Sequence, residues 1–264
     1  MNTILYAVAV LSVLGIVFGV ILTIAAKIFH VEVDERIDQV KECLGGANCG
    51  ACGYAGCAAL AEAIVKGEAK PTACAPAGEK GAKAIAKIMG VEAETGERMV
   101  ARVICQGKDG VALERYTYDG TPSCLNAVGM AGGPKLCRFA CVGLGDCMRH
   151  CAFGAIKIVD GLCVIDEEKC TACGNCVANC PRRAIQLMPV SQKTIVRCRN
   201  SDTAREARSQ CMHACIGCGR CKKECPSDAI VVENGFARID PAKCTKCGAC
   251  AKVCPCQCIT FDEE

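Results

Sequence analysis

Cys170-Thr-Ala-Cys173-Gly-Asn-Cys176-Val-Ala-Asn-Cys180-Pro181 is one of three cysteine runs in this chain with the spacing C-x2-C-x2-C-x3-C-P. The other two lie nearer the C-terminus, at residues 215–226 and 244–255. This spacing is the ligand pattern of bacterial-type 4Fe–4S clusters, in which three close thiolates bind one cubane and the fourth binds the neighbouring cubane. Three copies in one chain predict a protein that transfers electrons.

Cysteine makes up 28 of the 264 residues, a density that also occurs in disulfide scaffolds and metal proteins. Disulfide scaffolds are short, and closely spaced cysteines would compete for partners. Zinc sites usually pair two C-x2-C units, without a third close cysteine and a trailing Cys-Pro. The repeated spacing therefore favours iron–sulfur ligation, which implies a reducing cytoplasm.

An apolar stretch begins the chain, since Ile4 to Ala26 is 23 residues without a charge. As a helix it would be about 35 Å long, enough to span a bilayer core of roughly 30 Å. A secretory signal peptide would carry basic residues before a shorter apolar stretch, whereas here they begin at Lys27. The positive-inside rule predicts a single-pass anchor in the lipid of a bacterial or archaeal cytoplasmic (inner) membrane, with residues 30–264 on the cytoplasmic side.

The formal net charge of +3 counts every cysteine as a neutral thiol. A 4Fe–4S core held by four thiolates carries about −2, so a chain with several clusters is acidic. No run of Lys and Arg interleaved with aromatic residues occurs, and the chain has no Trp. The composition therefore argues against nucleic-acid binding and favours a partner with a positively charged docking face.

A separate cluster-binding unit follows the apolar stretch. Its cysteines have the spacing C-x2-C-x4-C-x16-C and are Cys49, Cys52, Cys57 and Cys74. The glycines between the first three allow the backbone to bend around an inorganic core and to aim N–H groups at its sulfides. Cys43 lies just upstream and is either a structural thiol or a substitute ligand.

The C-terminal half contains four half-repeats of a ferredoxin, each a cysteine run followed by a short strand–turn–strand segment. Internal repetition of this kind is a strong fold signal. Two half-repeats make one small domain with two clusters. The predicted fold class is α+β, with a transmembrane anchor (1–29), a small helical iron–sulfur domain (30–92), a β-containing connector (93–130), a ferredoxin domain (131–190), a linker (191–207) and a second ferredoxin domain (208–264).

The first of the four runs departs from the pattern. It reads C-x3-C-x5-C-x3-C from Cys137 to Cys151 and has Ala152 in place of proline. With the crossed rule, the first domain is predicted to use the sets Cys137, Cys141, Cys147 with Cys180, and Cys151 with Cys170, Cys173, Cys176. The second domain is predicted to use Cys215, Cys218, Cys221 with Cys254, and Cys225 with Cys244, Cys247, Cys250. Together with the N-terminal unit, 20 cysteines would bind five clusters.

Eight cysteines remain outside these sets, namely Cys43, Cys105, Cys124, Cys163, Cys198, Cys211, Cys256 and Cys258. Cys105 and Cys124 stand apart from every four-cysteine run, which predicts buried thiols rather than ligands. Cys256 and Cys258 follow Cys254 closely and are either passive thiols or alternative ligands.

The stretch Gly46-Ala-Asn-Cys-Gly-Ala-Cys-Gly-Tyr-Ala-Gly-Cys57, between a short apolar N-terminus and a distant Cys74, resembles the B subunit of the Rnf-type ferredoxin:NAD⁺ oxidoreductase complex. The stretch from Lys135 to Cys147 and the additional ferredoxin repeats resemble the long form of that subunit in anaerobes. The resemblance covers nearly the whole chain. The Cys-Pro-Cys-Gln-Cys sequence near the C-terminus and Ala152 depart from it.

The resemblance implies a subunit of an ion-translocating enzyme. Such a complex takes electrons from reduced soluble ferredoxin, passes them to NAD⁺ and translocates Na⁺ or H⁺ through partner subunits. This chain would conduct electrons from its C-terminal domain to its N-terminal site, so no catalytic residue is expected on it. No G-x-G-x-x-G follows a predicted strand, which predicts no NAD or flavin site, and His30, His150 and His213 are not clustered.

Two other interpretations remain open. The chain could be a polyferredoxin subunit of another membrane enzyme, such as a hydrogenase or a dehydrogenase. It could also be a cysteine-rich metal-binding or regulatory protein without electron transfer, in which case the purified protein would be colourless and contain zinc.

Overall fold

The computed structural model describes residues 2–28, 34–92 and 96–261. The first helix, α1 (Asn2–Ile28), contains the apolar stretch. Large apolar side chains along it are exposed, among them Leu11, Ile16 and Leu22. Within the described ranges, no helix has both the length and the hydropathy expected of a membrane span, so the predicted transmembrane helix is not found there.

The N-terminal domain is helical, as predicted. It consists of α2 (Glu35–Cys43), α3 (Cys57–Val65), a 3-10 turn (Ala75–Ala77) and α4 (Gly78–Met89). Helix α2 begins after Asp34, whose carboxylate accepts the Arg36 amide, the usual role of an N-cap aspartate. The apolar faces of the three helices meet in a core that includes Val40, Leu60 and Ile85.

The first ferredoxin unit contains two antiparallel strand pairs. Strand β1 (Met99–Val103) pairs with β4 (Ile185–Pro189), and β2 (Ile156–Val159) pairs with β3 (Leu162–Ile165). The β2–β3 hairpin turns at Asp160-Gly161, where both residues have positive φ, as a type I′ turn requires. The helices of this unit are α5 (Cys124–Gly129), α6 (Asp146–Arg149) and α7 (Asn175–Ala178).

The second ferredoxin unit repeats this arrangement. Strand β5 (Thr194–Val196) pairs with β8 (Ile259–Phe261), and β6 (Ile230–Glu233) pairs with β7 (Phe236–Ile239) through a turn at Asn234-Gly235. Its helices are α8 (Ala204–Gln210), α9 (Arg220–Glu224) and α10 (Ala249–Lys252). The mixed helix and strand content agrees with the predicted α+β class.

The predicted connector and linker are parts of the ferredoxin units. The connector contributes β1, which is the outer strand against β4, and residues 191–207 contribute β5, which has the same place against β8. Each pairing covers a backbone edge that would otherwise be open. The described residues of the β-containing connector, 96–130, form one strand, β1, because the chain after Val103 leaves the sheet to pass between the two units.

Two arginines, one of them buried, connect the two units. The Arg102 side chain is 6% exposed, pairs with Glu167 (Nε–Oε1 2.6 Å) and donates to the carbonyl oxygens of Val190 and Gln192. Arg197, just after β5, donates from Nη1 to the carbonyl oxygen of Val103 at 3.1 Å. The ends of β1 and β5 are therefore held next to each other.

Candidate iron–sulfur sites

The second ferredoxin unit contains the clearest group of thiols. The four predicted ligands Cys215, Cys218, Cys221 and Cys254 line one cavity, together with Cys256 and Cys258. Left-handed glycines at positions 217 and 219 allow the loop between the first three thiols to turn sharply. Three of these thiols come from one run and the fourth from the next, so the structure assembles the predicted crossed set.

The reciprocal set of the second unit is also close in space. Burial raises the pKa of the Cys250 thiol to about 11, and nearby thiols, including those of Cys225, Cys244 and Cys247, add to the rise. The Cys225 Sγ accepts the Ala229 amide at 3.4 Å. Amide hydrogen bonds to cysteine sulfur are one of the means by which proteins stabilise and tune bound clusters.

In the first ferredoxin unit, the predicted set that ends at Cys176 is also close in space. Burial raises the pKa of the Cys176 thiol to about 12, and nearby thiols that include Cys151, Cys170 and Cys173 add to the rise. The Cys170 Sγ accepts the amide of Ala101 in β1 at 3.3 Å. The predicted set of Cys151, Cys170, Cys173 and Cys176 is therefore brought together around the edge of β1.

The other predicted set of the first unit is not brought together. A cavity of about 370 Å³ is lined by Cys141, Cys147 and Cys180, as expected, but Cys137 is not among its lining residues. Cys124 and Cys163 line it instead. The grouping of Cys137 with these three thiols, predicted from sequence proximity, therefore differs from the structure.

Alignment of the two units explains the difference. A left-handed glycine precedes both α6 and α9, and superposing these turns matches Cys141 with Cys215 and Leu144 with Cys218. The irregular run therefore begins at Cys141 and lacks its second cysteine. Cys137 is an additional thiol upstream of the run.

Cys124 lies where it can replace the missing thiolate. It is buried at the start of α5, with the backbone amides of Asp146 and Leu144 near its thiol. The Asp146 carboxylate in turn accepts the Leu125 amide at 3.0 Å and fixes α5 against the ligand loop. Burial raises the pKa of the Cys124 thiol, so iron would have to displace its proton in order to bind there.

Cys163 and Cys258 are additional thiols that contact predicted ligands. The Sγ atoms of Cys163 and Cys147 are 3.5 Å apart, as are those of Cys258 and Cys254. A hydrogen bond from Cys258 lowers the pKa of Cys254 to about 5, and burial only partly opposes it. Because each thiol lies so close to a ligand sulfur, we interpret both as hydrogen-bond donors to ligands rather than as ligands of separate irons.

The N-terminal unit packs three of its four predicted ligands against its helical core. Cys52, Cys57 and Cys74 pack against the same helical core, together with Cys43. The Asn48 side-chain oxygen accepts the Cys57 amide at 2.8 Å and fixes the loop that leads into the helix. The carbonyl oxygen of Cys49 accepts a hydrogen bond from Asn175 Nδ2, at 3.3 Å, on the first ferredoxin unit.

The histidines of the described part of the chain bind backbone groups. His150 Nδ1 lies 2.8 Å from the Asp146 carbonyl oxygen, and His213 Nδ1 lies 3.0 Å from the Cys256 carbonyl oxygen. His30 lies outside the described residues. Among those residues, no group of three or more His, Cys, Asp or Glu side chains is placed to hold a metal ion. A 4Fe–4S cluster requires a different arrangement, with four thiolates spread around a cubane.

Thiols from paired runs, gathered around cavities in repeated α+β units, define a multi-cluster iron–sulfur protein of the ferredoxin class. Comparisons with family models agree. Residues 44–76 match the family described as "Putative Fe-S cluster", and residues 169–229 and 212–255 each match one described as "4Fe-4S dicluster domain".

Curated relatives match along nearly the whole chain. The B subunit of the Na(+)-translocating ferredoxin:NAD(+) oxidoreductase complex of Acetobacterium woodii is 48% identical over 265 residues, which cover 100% of this chain and 80% of that protein. The proton-translocating counterpart of Clostridium ljungdahlii is 38% identical, covering 92% and 87%. The B subunit of the ion-translocating oxidoreductase complex of Methanosarcina acetivorans is 41% identical, covering 92% and 93%. The chain belongs to the family of B subunits of the ion-translocating (Rnf-type) ferredoxin:NAD⁺ oxidoreductase complexes.

Proposed function

We propose that this chain is the electron-transfer subunit of a membrane complex that passes electrons from reduced ferredoxin toward NAD⁺, while partner subunits translocate Na⁺ or H⁺. The names of its full-length relatives support this function. The structural observation that carries it is the sequence of neighbouring thiol groups from the second ferredoxin unit to the N-terminal domain. When bound, 4Fe–4S clusters supply one-electron storage and transfer, so the task of the chain is to position them and to control their exposure.

The proposed ligand sets follow the groups in the structure. The N-terminal set and both sets of the second unit are those predicted from sequence, as is the set that ends at Cys176. In the remaining set, Cys124 takes the place of Cys137 beside Cys141, Cys147 and Cys180. These assignments account for five clusters.

Neighbouring groups of thiols lie near each other within each unit. The nearby Cys221 thiol contributes to the raised pKa of buried Cys250, which belongs to the other group of the second unit. In the first unit, Cys147 has the same relation to buried Cys176. The hydrogen bond from Asn175 to Cys49 then joins the first unit to the N-terminal domain.

The second ferredoxin unit has the features of a docking face for the electron donor. Cys218 and Cys247 are the two exposed cysteines, and each belongs to a different group of that unit. The exposed side chains of Arg220, Lys222 and Lys246 lie beside them in sequence. A reduced ferredoxin carries the negative charge of its own cluster and thiolates, so this basic surface favours its approach.

Helix α1 is the proposed attachment to the membrane part of the complex. Its exposed apolar side chains, such as Leu11 and Leu22, need a partner that removes them from water. Deletion of residues 1–28 should release the chain from washed membranes. Retention of the truncated chain would assign attachment to the other domains.

The proposed order of electron transfer, from the second ferredoxin unit to the N-terminal domain, can be tested with Cys218→Ser in the intact complex. We expect reduced ferredoxin no longer to reduce the N-terminal cluster, whereas dithionite still does; electron paramagnetic resonance of rapidly frozen samples reports both. The same substitution at Cys43, which belongs to no proposed group, is the control. Unchanged reduction by ferredoxin would contradict the proposed direction. Copurification with a hydrogenase instead of an NADH-binding flavoprotein would contradict the proposed partner complex.

A further inference from the structure

Four cysteines outside the five proposed groups occupy equivalent positions in the two ferredoxin units. Cys105 follows the last residue of β1 by two positions, and Cys198 follows the last residue of β5 by two positions. Cys137 precedes the first run cysteine of its unit by four residues, and Cys211 does the same in the other unit. Each unit therefore supplies two matching thiols outside its own pair of clusters.

The hydrogen bonds around Cys105 and Cys198 match as well. Cys105 Sγ accepts the amide of Gly107 at 3.2 Å and the amide of Cys141 at 3.4 Å. Cys198 Sγ accepts the amide of Asn200 at 3.5 Å and the amide of Cys215 at 3.2 Å. In both units, the donors are the residue two positions later and the first cysteine of the run. Thiols that accept two amides are prepared to carry negative charge.

Cys137 and Cys211 show a second matched pair of contacts. The sulfur of each lies near the backbone amide two residues later, that of Phe139 or His213. The Cys137 Sγ also accepts the side-chain amide of Asn200 at 3.5 Å, a contact from the opposite unit. The two pairs of thiols thus belong to one hydrogen-bonded arrangement that crosses the interface between the units.

All four thiols line one cavity between the units. The group that ends at Cys254 lines a single cavity in the same way. The shared apolar packing of Cys105, Cys137 and Cys211 agrees with thiols that converge from the two sides of the interface. A cavity lined by four convergent thiols has the ligands that a 4Fe–4S cluster requires.

The surroundings of this cavity supply positive charge. Arg197 and Arg199 are among its lining residues. Lys135 is 3% exposed and donates to the carbonyl oxygens of Gly107 (2.6 Å) and Gly161 (2.9 Å). A buried ammonium group is costly unless negative charge lies near it, and its carboxylate neighbour, Asp109 at 3.8 Å, is largely exposed. A cluster with four thiolates would carry about −2 at this position.

We propose that Cys105, Cys137, Cys198 and Cys211 bind a sixth 4Fe–4S cluster in the cavity between the two ferredoxin units. Each thiol would give up its proton as it binds one iron of the cubane. The amide donors to Cys105 and Cys198 belong to Cys141 and Cys215, which are ligands of the nearest cluster in each unit. The cluster would thus transfer electrons between the two units. This role rests on the proposed function, but the existence of the metal site does not depend on it.

Iron content tests the site without any electron-transfer assay. The intact chain should contain about 24 iron ions with six clusters, against about 20 with five. We expect Cys105→Ser and Cys198→Ser each to lose about four iron and four sulfide ions per chain, measured with the anaerobically purified protein and with Mössbauer spectroscopy. Cys43→Ser, the same substitution at a thiol outside every group, is the matched control and should keep the full content.

The double variant Cys105→Ser/Cys198→Ser separates loss of one site from misfolding. If both thiols hold the same cluster, the double variant loses no more iron than either single variant. Full iron content in both single variants, or additive losses in the double variant, would overturn the proposal. Loss of this cluster with the other five retained would support the site even if ferredoxin proved not to be the electron donor.

Discussion

Replacement of Cys124 by serine should empty one site, and a second substitution should refill it. In the first ferredoxin unit, Leu144 stands where the second unit has the ligand Cys218, and Cys124 lines the resulting cavity. Cys124→Ser therefore removes one of four ligands of a single cluster. The expected loss is about four iron ions per chain, because the other groups do not include this thiol.

The variant Cys124→Ser/Leu144→Cys supplies the thiol from the run itself. Leu144 is half-buried beside Cys124, and its loop has the same left-handed glycine before the ligand helix as the intact run in the second unit. We expect the double variant to recover the lost iron, while Leu144→Cys alone leaves the content unchanged.

Chemical iron and sulfide analysis, together with the amplitude of the 4Fe–4S quadrupole doublet in Mössbauer spectra, measures the loss and the recovery. Full iron content in Cys124→Ser would refute the assignment of Cys124 as a ligand. Loss without recovery in the double variant would refute the proposed equivalence of Leu144 and Cys218.

Three further predictions concern tuning, docking and stability. Cys258→Ala removes a hydrogen-bond donor to ligand sulfurs, and such a donor stabilises the more negative, reduced cluster. The reduction potential of that cluster should therefore fall by about 40 mV for a hydrogen bond of about 1 kcal/mol. A rise of the potential in a redox titration would contradict this reasoning. Lys222→Glu/Lys246→Glu should slow association with ferredoxin about tenfold at low ionic strength, with the difference shrinking in high salt. In stopped-flow measurements, the control Lys80→Glu/Lys83→Glu makes the same change of net charge at exposed positions of α4, so it would show an equal effect if only net charge mattered. Arg102→Met should lower the thermal inactivation temperature by several degrees. The free energy of unfolding should fall by about 2 kcal/mol, because the carbonyl oxygens of Val190 and Gln192 lose their donor. The control Lys83→Met, which breaks an exposed ion pair with Glu79, should change the temperature little.

The sequence alone predicted how the thiols of the regular cysteine runs are grouped, because the spacing of such a run is typical of three ligands of one cluster and one ligand of its neighbour. The sets that end at Cys176, Cys250 and Cys254 are grouped in the structure as the spacing predicts. The strand–turn–strand segments predicted after the cysteine runs include the two central hairpins, which turn at Asp160-Gly161 and Asn234-Gly235. These features are local, so a short window contains the information.

Pairings between distant segments could not be predicted in this way. Strand β5 has three residues within a segment interpreted as a linker, and its strand character depends on β8, more than sixty residues later. Cys124 has no spacing relation to the run that it completes, so only the fold places it there. The position of Cys137 was accessible in principle, because Cys137 and Cys141 repeat the interval between Cys211 and Cys215.

The pairing of β1 with β4 has a consequence for synthesis on the ribosome. Residues 99–103 must wait for residues 185–189 before their sheet can form, and until then Ala101 cannot donate its amide to Cys170 in the finished geometry. The N-terminal domain, whose last ligand is Cys74, is complete long before that point. Cluster delivery would thus proceed from the N-terminus onward, and a chain arrested between residues 190 and 210 would already present one half of the interface between the units, with Cys105 and Cys137 open to oxidation. Protection of nascent thiols over this interval is a requirement that the fold imposes on the cell.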